Sequence, residues 1–243
     1  MADSLRGKTA LITGAARRLG EAISLALARQ GVNVVVHYHR SEAAAQALCG
    51  QIERLAVSAT RLQADLSDSR QTQGLLNRAG PIDILINNAS VFEQETLWET
   101  TEASLARNMQ IHAAAPLVLA RAFAQQDRPG HIVNLLDTRV TTYDREHAAY
   151  HISKRVLLTL TRMLALELAP KIVVNAVAPG LILPPPGQDE GYLKKLTYTN
   201  PLKRHGDPAD VAEAILFLLN SRFITGQIIY VDGGYHIKGH TYD

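Results

Sequence analysis

The sequence predicts an α/β protein, a doubly wound parallel sheet of seven strands with helices on both faces. Segments typical of strands alternate with segments typical of helices throughout, an order that builds parallel sheets with right-handed crossovers. Several strand segments are continuous apolar runs, as strands buried on both faces require. The length of 243 residues fits one large domain, which we place over residues 1–243.

The first strand and helix come at the start of the chain. Residues 8–13 form a short apolar run with β-branched members, which predicts a strand. Residues 20–30 have helical spacing and end at Gly31, a residue type favoured just past a helix C-terminus. Residues 32–37 are rich in valine and predict the second strand.

Two further helices and two strands follow. Residues 41–54 are rich in alanine and predict a helix with Ser41 as its N-cap. Residues 58–64 alternate between apolar and polar side chains, which predicts the third strand. Residues 68–78 predict a helix, and the apolar run 82–86 predicts the fourth strand.

The next elements are longer. Residues 102–125 predict a long helix that Pro116 should bend or divide. Residues 131–136 predict the fifth strand and residues 172–177 the sixth. Between them, residues 148–168 predict a long apolar helix.

The last part of the chain contains one break in this alternation. Residues 181–200 hold a proline run at 184–186 and then a short helical segment, Gly-Tyr-Leu-Lys-Lys-Leu. A long insertion after a strand is where an α/β sheet builds its binding crevice, so we expect a substrate loop here. Residues 208–220 predict a helix with Asp207 as its cap, and residues 227–231 the seventh strand.

Composition narrows the class of protein. The chain is 47% hydrophobic and 20% charged, with a net charge of +2. This balance gives no reason to expect a nucleic-acid or membrane partner. Cys49 is the single cysteine, which suits a reducing compartment, and we expect a cytoplasmic enzyme with no signal peptide or membrane span.

A glycine turn between the first strand and helix indicates a phosphate site. Gly14 and Gly20 would let the backbone approach a pyrophosphate at the helix N-terminus. The alternative is an ordinary tight turn, but the strand-to-helix context favours the phosphate site. Arg18 stands where a middle glycine is usual, so its side chain should point outward to a phosphate or the substrate, unless it is simply solvated.

The end of the second strand indicates which nucleotide binds. A site for NAD has an Asp or Glu here to hold the ribose 2′-hydroxyl, but this chain has His39, Arg40 and Ser41 instead. Arginine matches the geometry of a phosphate. We therefore expect NADPH; the alternative for Arg40 is a surface residue. Asp65, after the third strand, would lie at the adenine, and the asparagines at 87–88 beneath the cofactor.

The pair Tyr150 and Lys154 indicates a proton donor. Residues four apart share one face of a helix. A free tyrosine has a pKa of about 10, and a neighbouring lysine would lower that pKa; it would also bind the nicotinamide ribose. Without the glycine turn upstream, we would interpret this pair as plain helix surface.

These motifs together resemble the short-chain dehydrogenase/reductase family. They are residues 13–20, residues 87–89, the Tyr150–Lys154 pair, Pro179-Gly180, and Val-Asp-Gly-Gly at 231–234. The resemblance spans the chain and implies a Rossmann-type, NAD(P)H-dependent oxidoreductase, usually a homotetramer; the sequence leaves a dimer open.

Three segments are similar to the pteridine reductase subfamily, in particular its bacterial dihydromonapterin/dihydrofolate reductase branch. They are Thr-Gly-Ala-Ala-Arg-Arg-Leu-Gly at 13–20, His-Tyr-His-Arg-Ser at 37–41 and Asn-Asn-Ala-Ser-Val-Phe at 87–92. The strongest mark is Asp137, at a position where most relatives carry serine. The resemblance implies catalysis by Asp137, Tyr150 and Lys154.

The resemblance also implies two binding sets. The cofactor would contact Gly14, Arg18, Leu19, Gly20, His39, Arg40, Ser41, Asp65, Leu66, Asn88, Ala89, Ser90, Tyr150, Lys154, Pro179 and Gly180. The substrate would contact Arg18, Ser90, Phe92, Asp137, Tyr150 and Leu181. We expect no metal site, because no cluster of ligands is evident.

Asp137 and Phe92 point to a pterin. A carboxylate would repel a carbonyl oxygen, whereas a pterin edge carries N–H groups and ring nitrogens that need a proton. The alternative for Asp137 is a turn or N-cap residue. Phe92 would stack on the flat ring, with core packing as its alternative. Trp98 and Tyr192 are further aromatic residues that could wall the pocket.

The predicted reaction is NADPH-dependent reduction of 7,8-dihydropterins, such as dihydromonapterin, dihydrobiopterin or dihydrofolate. Two alternatives stay open: a reductase of 3-oxoacyl thioesters or small ketones, and a non-catalytic regulator that senses NADPH. Asp137 argues against the first, and the intact Tyr150–Lys154 pair against the second. His112 stands where most relatives have an asparagine that supports the lysine through water, which leaves the proton path open.

Overall fold

One parallel sheet of seven strands crosses the part of the chain that the computed structural model describes, residues 5–185 and 187–238. The strands are β1 Thr9–Ile12, β2 Asn33–Tyr38, β3 Ala59–Gln63, β4 Ile84–Asn87, β5 Gly130–Leu135, β6 Ile172–Pro179 and β7 Ile228–Val231. Their order is β3-β2-β1-β4-β5-β6-β7, and every pair is parallel. The order reverses between β1 and β4, the point where such sheets open a crevice at the strands' carboxyl ends.

Helices cover both faces of this sheet. They are α1 Arg18–Arg29, α2 Glu42–Glu53, α3 Ser69–Ala79, α4 Glu102–Met109, α5 Ala115–Ala124, α6 Ala148–Glu167, α7 Glu190–Leu196, α8 Pro208–Asn220 and α9 Tyr235–Lys238. One core joins α1, α2 and α8 to the sheet through side chains such as Leu27, Leu48 and Ile215. A second core joins α3, α5 and α6 from the other face through Leu75, Leu119 and others. The predicted fold class is therefore confirmed.

Most predicted helix ends are found where the sequence places them. Gly31 has a φ of +82°, the left-handed conformation expected just after α1. Asp207 caps α8 by accepting a hydrogen bond from the Ala209 N–H at 2.8 Å. The N-cap prediction for Ser41 is wrong in one respect: this residue precedes α2, but its side chain makes no capping hydrogen bond.

The predicted helix over 102–125 is divided, as Pro116 suggested. A π-helical turn, Gln110–Ala114, separates α4 from α5, and Pro116 lies in the first turn of α5. Proline has no N–H to donate to the carbonyl four residues earlier, so the α-helical pattern is interrupted at this point. The wider turn places His112 inside the protein, where it is 1% exposed.

The predicted substrate loop contains more structure than its sequence suggested. Its helical segment is α7, followed by a 3₁₀ turn over Thr197–Thr199. Helix α9 was not predicted. Pro186, residues 1–4 and residues 239–243 of the predicted domain lie outside the described residues. Within the described ranges, no helix is both long and apolar enough to cross a bilayer.

Candidate active site

A cavity of about 730 Å³ opens at the carboxyl ends of the strands. Its walls include nearly every residue predicted to bind cofactor or substrate: Gly14, Arg18, Leu19, Gly20, His39, Asp65, Leu66, Asn88, Ala89, Ser90, Phe92, Asp137, Tyr150, Lys154, Pro179, Gly180 and Leu181. The cavity walls do not include Arg40 and Ser41, which follow β2. They do include Arg17, which the sequence analysis did not select.

Two glycines shape the turn between β1 and α1. Gly14 has a φ of +62°, and a Cβ there would lie 2.9 Å from the Cα of Ala89. A Cβ on Gly20 would lie 2.3 Å from the carbonyl oxygen of Gly14. Neither position has room for a side chain, so the turn stays narrow and its backbone remains accessible from the cavity. This is the cradle that a pyrophosphate at a helix N-terminus requires.

His37 fixes this turn from beneath, a role that the sequence analysis missed. Its Nδ1 accepts a hydrogen bond from the Gly14 N–H at 3.0 Å. Its Nε2 therefore carries the proton and donates to the carbonyl of Ala64 at 3.1 Å. Burial lowers the pKa of His37 to about 4, so the ring is neutral and holds the turn against the ends of β2 and β3. A histidine directly after three buried valines was the available signal.

The far end of the cavity carries charges of both signs. The His39 Nε2 lies 3.4 Å from a carboxylate oxygen of Asp65. Burial opposes ionisation of Asp65, but hydrogen bonds from Ser67 and the charges of His39 and Arg40 hold its pKa below its ordinary value. Asp65 thus stays ionised beside basic side chains, at the position predicted for the adenosine part of the cofactor.

Asp137 serves two partners at once. Its Oδ2 accepts the phenolic hydrogen of Tyr150 at 2.9 Å, and its Oδ1 accepts the N–H of Arg139 at 2.7 Å. The second bond caps a 3₁₀ turn over Thr138–Thr141. Asp137 therefore occupies both of the alternative environments considered for it, the turn cap and the partner of the tyrosine.

The expected effect of Lys154 on Tyr150 is wrong for this structure. Burial, followed by the charge and hydrogen bond of Asp137, raises the pKa of Tyr150 well above its ordinary value. Lys154 is buried, and its Nζ donates to the carbonyl of Leu135 at 2.7 Å. Burial also lowers the pKa of Lys154 to about 8. Because its own pKa is raised, Tyr150 keeps its proton at neutral pH.

Phe92 lies in the cavity wall, so the alternative of core packing is wrong. Its side chain is 45% exposed. One face stacks on His147, with ring centroids 4.0 Å apart and planes at 14°. Its ring also meets Tyr150 edge to face at 4.7 Å. Of the two other aromatic candidates, Tyr192 lines the cavity, whereas Trp98 is 96% exposed and lies outside its walls.

Arg18 closes one side of the cavity mouth. It has a φ of +57°, a left-handed conformation that glycine adopts more readily than other residues. Its guanidinium donates to the carbonyl of Pro184, in the substrate loop, at 2.6 Å. The side chain points outward as expected, and its partner in this structure is the loop.

Two sequence expectations about histidines can now be examined. Burial and the charge of Lys154 lower the pKa of His112 to about 2, so the ring is neutral, and its recorded hydrogen-bond partners are Ser90, Val91 and Ser153. Among the described residues, no group of three or more His, Cys, Asp or Glu side chains is arranged to hold a metal ion.

Comparison with protein families and curated proteins places the chain among reductases. The family model described as enoyl-(acyl carrier protein) reductase matches residues 14–236. The chain is 36% identical over 245 residues to L-xylulose reductase of Bos taurus, covering 95% of this chain and 97% of the relative. It is 32% identical over 249 residues to the 3-oxoacyl-[acyl-carrier-protein] reductase FabG of Staphylococcus aureus, covering 95% and 98%.

Solved structures give a similar result. FolM alternative dihydrofolate reductase 1 from Brucella canis, complexed with NADP, superposes with a TM-score of 0.90 at 34% identity and 98% coverage of both chains. The FolM protein of Brucella suis, also with NADP, has the same TM-score and identity over 98% and 97%. A blue fluorescent protein from a metagenomic library, with NADPH, has a TM-score of 0.88 at 33% identity over 96% and 99%.

Proposed function

The chain belongs to the short-chain dehydrogenase/reductase family, and we propose that it reduces 7,8-dihydropterins to tetrahydropterins with NADPH. Dihydromonapterin and dihydrobiopterin are the leading substrates, and dihydrofolate is a further candidate. The hydrogen bond between Tyr150 and Asp137 carries this proposal. It places a carboxylate beside the proton donor. A carboxylate there can accept hydrogen bonds from a substrate with N–H groups, but it repels a substrate that presents only a carbonyl oxygen.

The chain is an NADP-dependent oxidoreductase. The FolM structures hold NADP and the metagenomic protein holds NADPH. The residues of this chain fit such a group: the narrow turn at Gly14 can receive its pyrophosphate, Arg17 lines the cavity, and Arg40, two residues after β2, could reach a 2′-phosphate. Lys154 would hold the nicotinamide ribose. When bound, the cofactor supplies the hydride.

The chain's own residues would supply the proton. Reduction of a 7,8-dihydropterin adds a hydride at C6 and a proton at N5. Tyr150 retains its proton at neutral pH because its pKa is raised, and Asp137 fixes the direction of the phenol. A positioned acid of this kind is worth roughly 10²–10⁴ in rate. We propose that Tyr150 protonates N5 and that Asp137 orients the pair.

Phe92 and the loop over 181–200 would hold the pterin ring. Phe92 lines the cavity and stacks on His147, and the Arg139 guanidinium lies over its ring at 5.9 Å from the centroid. Its exposed aromatic surface suits stacking of a planar heterocycle. Ser90 and Leu181 line the same cavity. The bond from Arg18 to Pro184 would draw the loop over the bound substrate.

A second candidate substrate class is the 3-oxoacyl thioesters and small ketones. The similarity to FabG and to L-xylulose reductase favours it. Asp137 argues against it, because a carboxylate near a carbonyl oxygen would repel the negative charge that develops there. A purely regulatory, NADPH-sensing role is less well supported, since Tyr150 and Lys154 are both intact.

We also propose a cytoplasmic homotetramer, with a dimer as the alternative. Helix α6 carries exposed apolar side chains, including Met163 at 62% and Leu166 at 83% exposure, and Phe217 of α8 is 55% exposed. Apolar helix faces of this kind suit association between copies. Light scattering coupled to gel filtration would give the mass directly; a monomer would contradict the proposal.

One experiment compares the substrate classes directly. The loss of NADPH absorbance is followed with dihydromonapterin, dihydrobiopterin, dihydrofolate and an acetoacetyl thioester, using wild type and Tyr150→Phe. We expect turnover of pterins, little turnover of the thioester, and loss of activity in the variant. Turnover of the thioester alone would replace the pterin proposal with the ketone proposal. NADPH binding without any turnover would favour the regulator.

A further inference from the structure

His112 connects two walls of the active site. Its Nδ1 lies 2.8 Å from the Ser153 hydroxyl, which in turn donates to the carbonyl of Tyr150 at 2.7 Å. Its Nε2 lies 3.0 Å from the Ser90 hydroxyl and 3.2 Å from the backbone nitrogen of Val91. The imidazole thus joins the loop that carries Ser90 to the helix that carries the proton donor.

The hydrogen bonds determine which ring nitrogen carries the proton. The Val91 N–H can only donate, so the Nε2 of His112 must be an acceptor without a hydrogen. The single ring proton then lies on Nδ1 and is donated to Ser153. Burial and the nearby charge of Lys154 keep the ring from gaining a second proton.

This tautomer dictates the direction of the Ser90 hydroxyl. Because Nε2 has no hydrogen to offer, Ser90 can bond to it only by donating. The other recorded partner of this hydroxyl, the Val91 carbonyl at 3.3 Å, is also an acceptor. In either case Ser90 donates its hydroxyl hydrogen to a protein acceptor. Its oxygen lone pairs are therefore left to accept hydrogen bonds from a molecule in the cavity that Ser90 lines.

We propose that His112 sets the polarity of Ser90, so that this wall of the cavity accepts hydrogen bonds from the substrate and does not donate them. His112 is a positioning residue, and Ser90 is the group that contacts the substrate. The inference rests on the proposed function: a dihydropterin ring carries amino and ring N–H donors that an accepting wall can recognise. A substrate that presents only carbonyl oxygens at this wall would gain nothing from Ser90.

The tautomer can be measured without any assumption about the substrate. Nitrogen-15 NMR of histidine-labelled protein, with the His112 signals identified by their loss in His112→Phe, reports the protonation of each ring nitrogen near neutral pH. We expect a protonated Nδ1 and a bare Nε2. A proton on Nε2 would overturn the inference even if the enzyme reduces pterins efficiently.

Kinetics then test whether His112 acts through Ser90. We expect Ser90→Ala to raise KM for the dihydropterin about five- to tenfold, the loss of one hydrogen bond, with kcat within about twofold of the wild-type value. His112→Phe should raise KM similarly, and adding Ser90→Ala to it should change little. His112→Gln, whose side-chain oxygen can still accept a hydrogen bond from Ser90, should have a KM close to that of wild type.

A control and two contrary results complete the test. His131→Phe replaces a partly buried histidine at the start of β5, the end of the strand away from the cavity, and should leave KM unchanged. If the effects of Ser90→Ala and His112→Phe on KM multiply in the double variant, His112 does not act through Ser90. The same conclusion follows if His112→Phe lowers kcat at constant KM. If wild type reduces no dihydropterin, the proposed function fails, while the NMR result still decides the polarity of Ser90.

Discussion

The carboxylate of Asp137 accepts the phenolic hydrogen of Tyr150 at 2.9 Å, while its other oxygen caps the turn that begins at Thr138. One side chain therefore fixes both the backbone of the cavity wall and the direction of the proton donor. Because the carboxylate stabilises the protonated phenol, Tyr150 keeps at neutral pH the proton that a general acid must supply.

Replacing Asp137 by asparagine should change the pH dependence of the reaction. The negative charge of Asp137 raises the pKa of Tyr150, so its removal lowers that pKa and activity should be lost at a lower pH on the alkaline side. We also expect kcat to fall by roughly 10² or more. The measurement is a pH–rate profile of both enzymes. If the alkaline fall in activity occurs at the same pH in both enzymes, the prediction is wrong. The surface substitution Asp127→Asn is the matched control.

The buried His37 should make the protein sensitive to acid. Its pKa is lowered from 6.5 to about 4, so between these values the unfolded chain binds a proton that the folded chain does not. Stability from this residue is complete above pH 6.5 and falls as the pH drops toward 4, by about 3 kcal/mol.

Denaturant unfolding at a series of pH values tests this prediction. His37→Asn, whose amide can both accept from Gly14 and donate to Ala64, should show a weaker loss of stability in acid than wild type. The change His39→Asn, at a side chain that is 42% exposed, should keep the wild-type slope. Equal slopes for His37→Asn and wild type would mean that His37 does not cause the acid sensitivity.

Arg40 should discriminate between the two nicotinamide cofactors. It follows β2 and faces the region of Asp65, where its charge is felt. If Arg40 binds a 2′-phosphate, Arg40→Ala should raise the Kd for NADPH about 10- to 100-fold, because one charge-assisted hydrogen bond is lost. The Kd for NADH should stay almost unchanged. Fluorescence titration gives both Kd values, with the exposed Arg29→Ala as control. Equal weakening of both cofactors would remove Arg40 from the phosphate site.

Phe92 should contribute to pterin binding and little to cofactor binding. Removing the ring in Phe92→Ala takes away one stacking surface, for which we expect about a tenfold rise in KM for the pterin. The Kd for NADPH should stay within about twofold. Trp98→Ala, which removes an exposed aromatic side chain outside the cavity, should change neither value. A rise in both constants for Phe92→Ala would indicate a general loss of structure.

The fold could be predicted because strand and helix signals are local and repeat along the chain. The valines of β2 and the helix ends at Gly31 and Asp207 follow from the chemistry of single residues. The meeting of Asp137 with Tyr150 also follows, since both lie near the carboxyl end of β5 or on the helix packed there.

What the sequence did not reveal depends on tertiary contacts. His37 lies near the end of β2, and Gly14 follows the neighbouring strand β1. Only the register between these two strands brings the residues together. The raised pKa of Tyr150 comes from burial, which helical spacing does not indicate. Helix α9 is fixed by Asp232, whose carboxylate accepts the N–H of His236 at 2.9 Å, and it is too short to give a periodic signal.

The most direct test of the account is the substrate preference of Asp137→Ser. The ratio of kcat/KM for a dihydropterin to that for an acetoacetyl thioester is measured in the variant and in wild type, with NADPH saturating. If the carboxylate selects the pterin, the ratio should be high in wild type and fall by at least about tenfold in the variant, through loss of pterin activity. A ratio that does not change, or a wild type that prefers the thioester, would contradict the account.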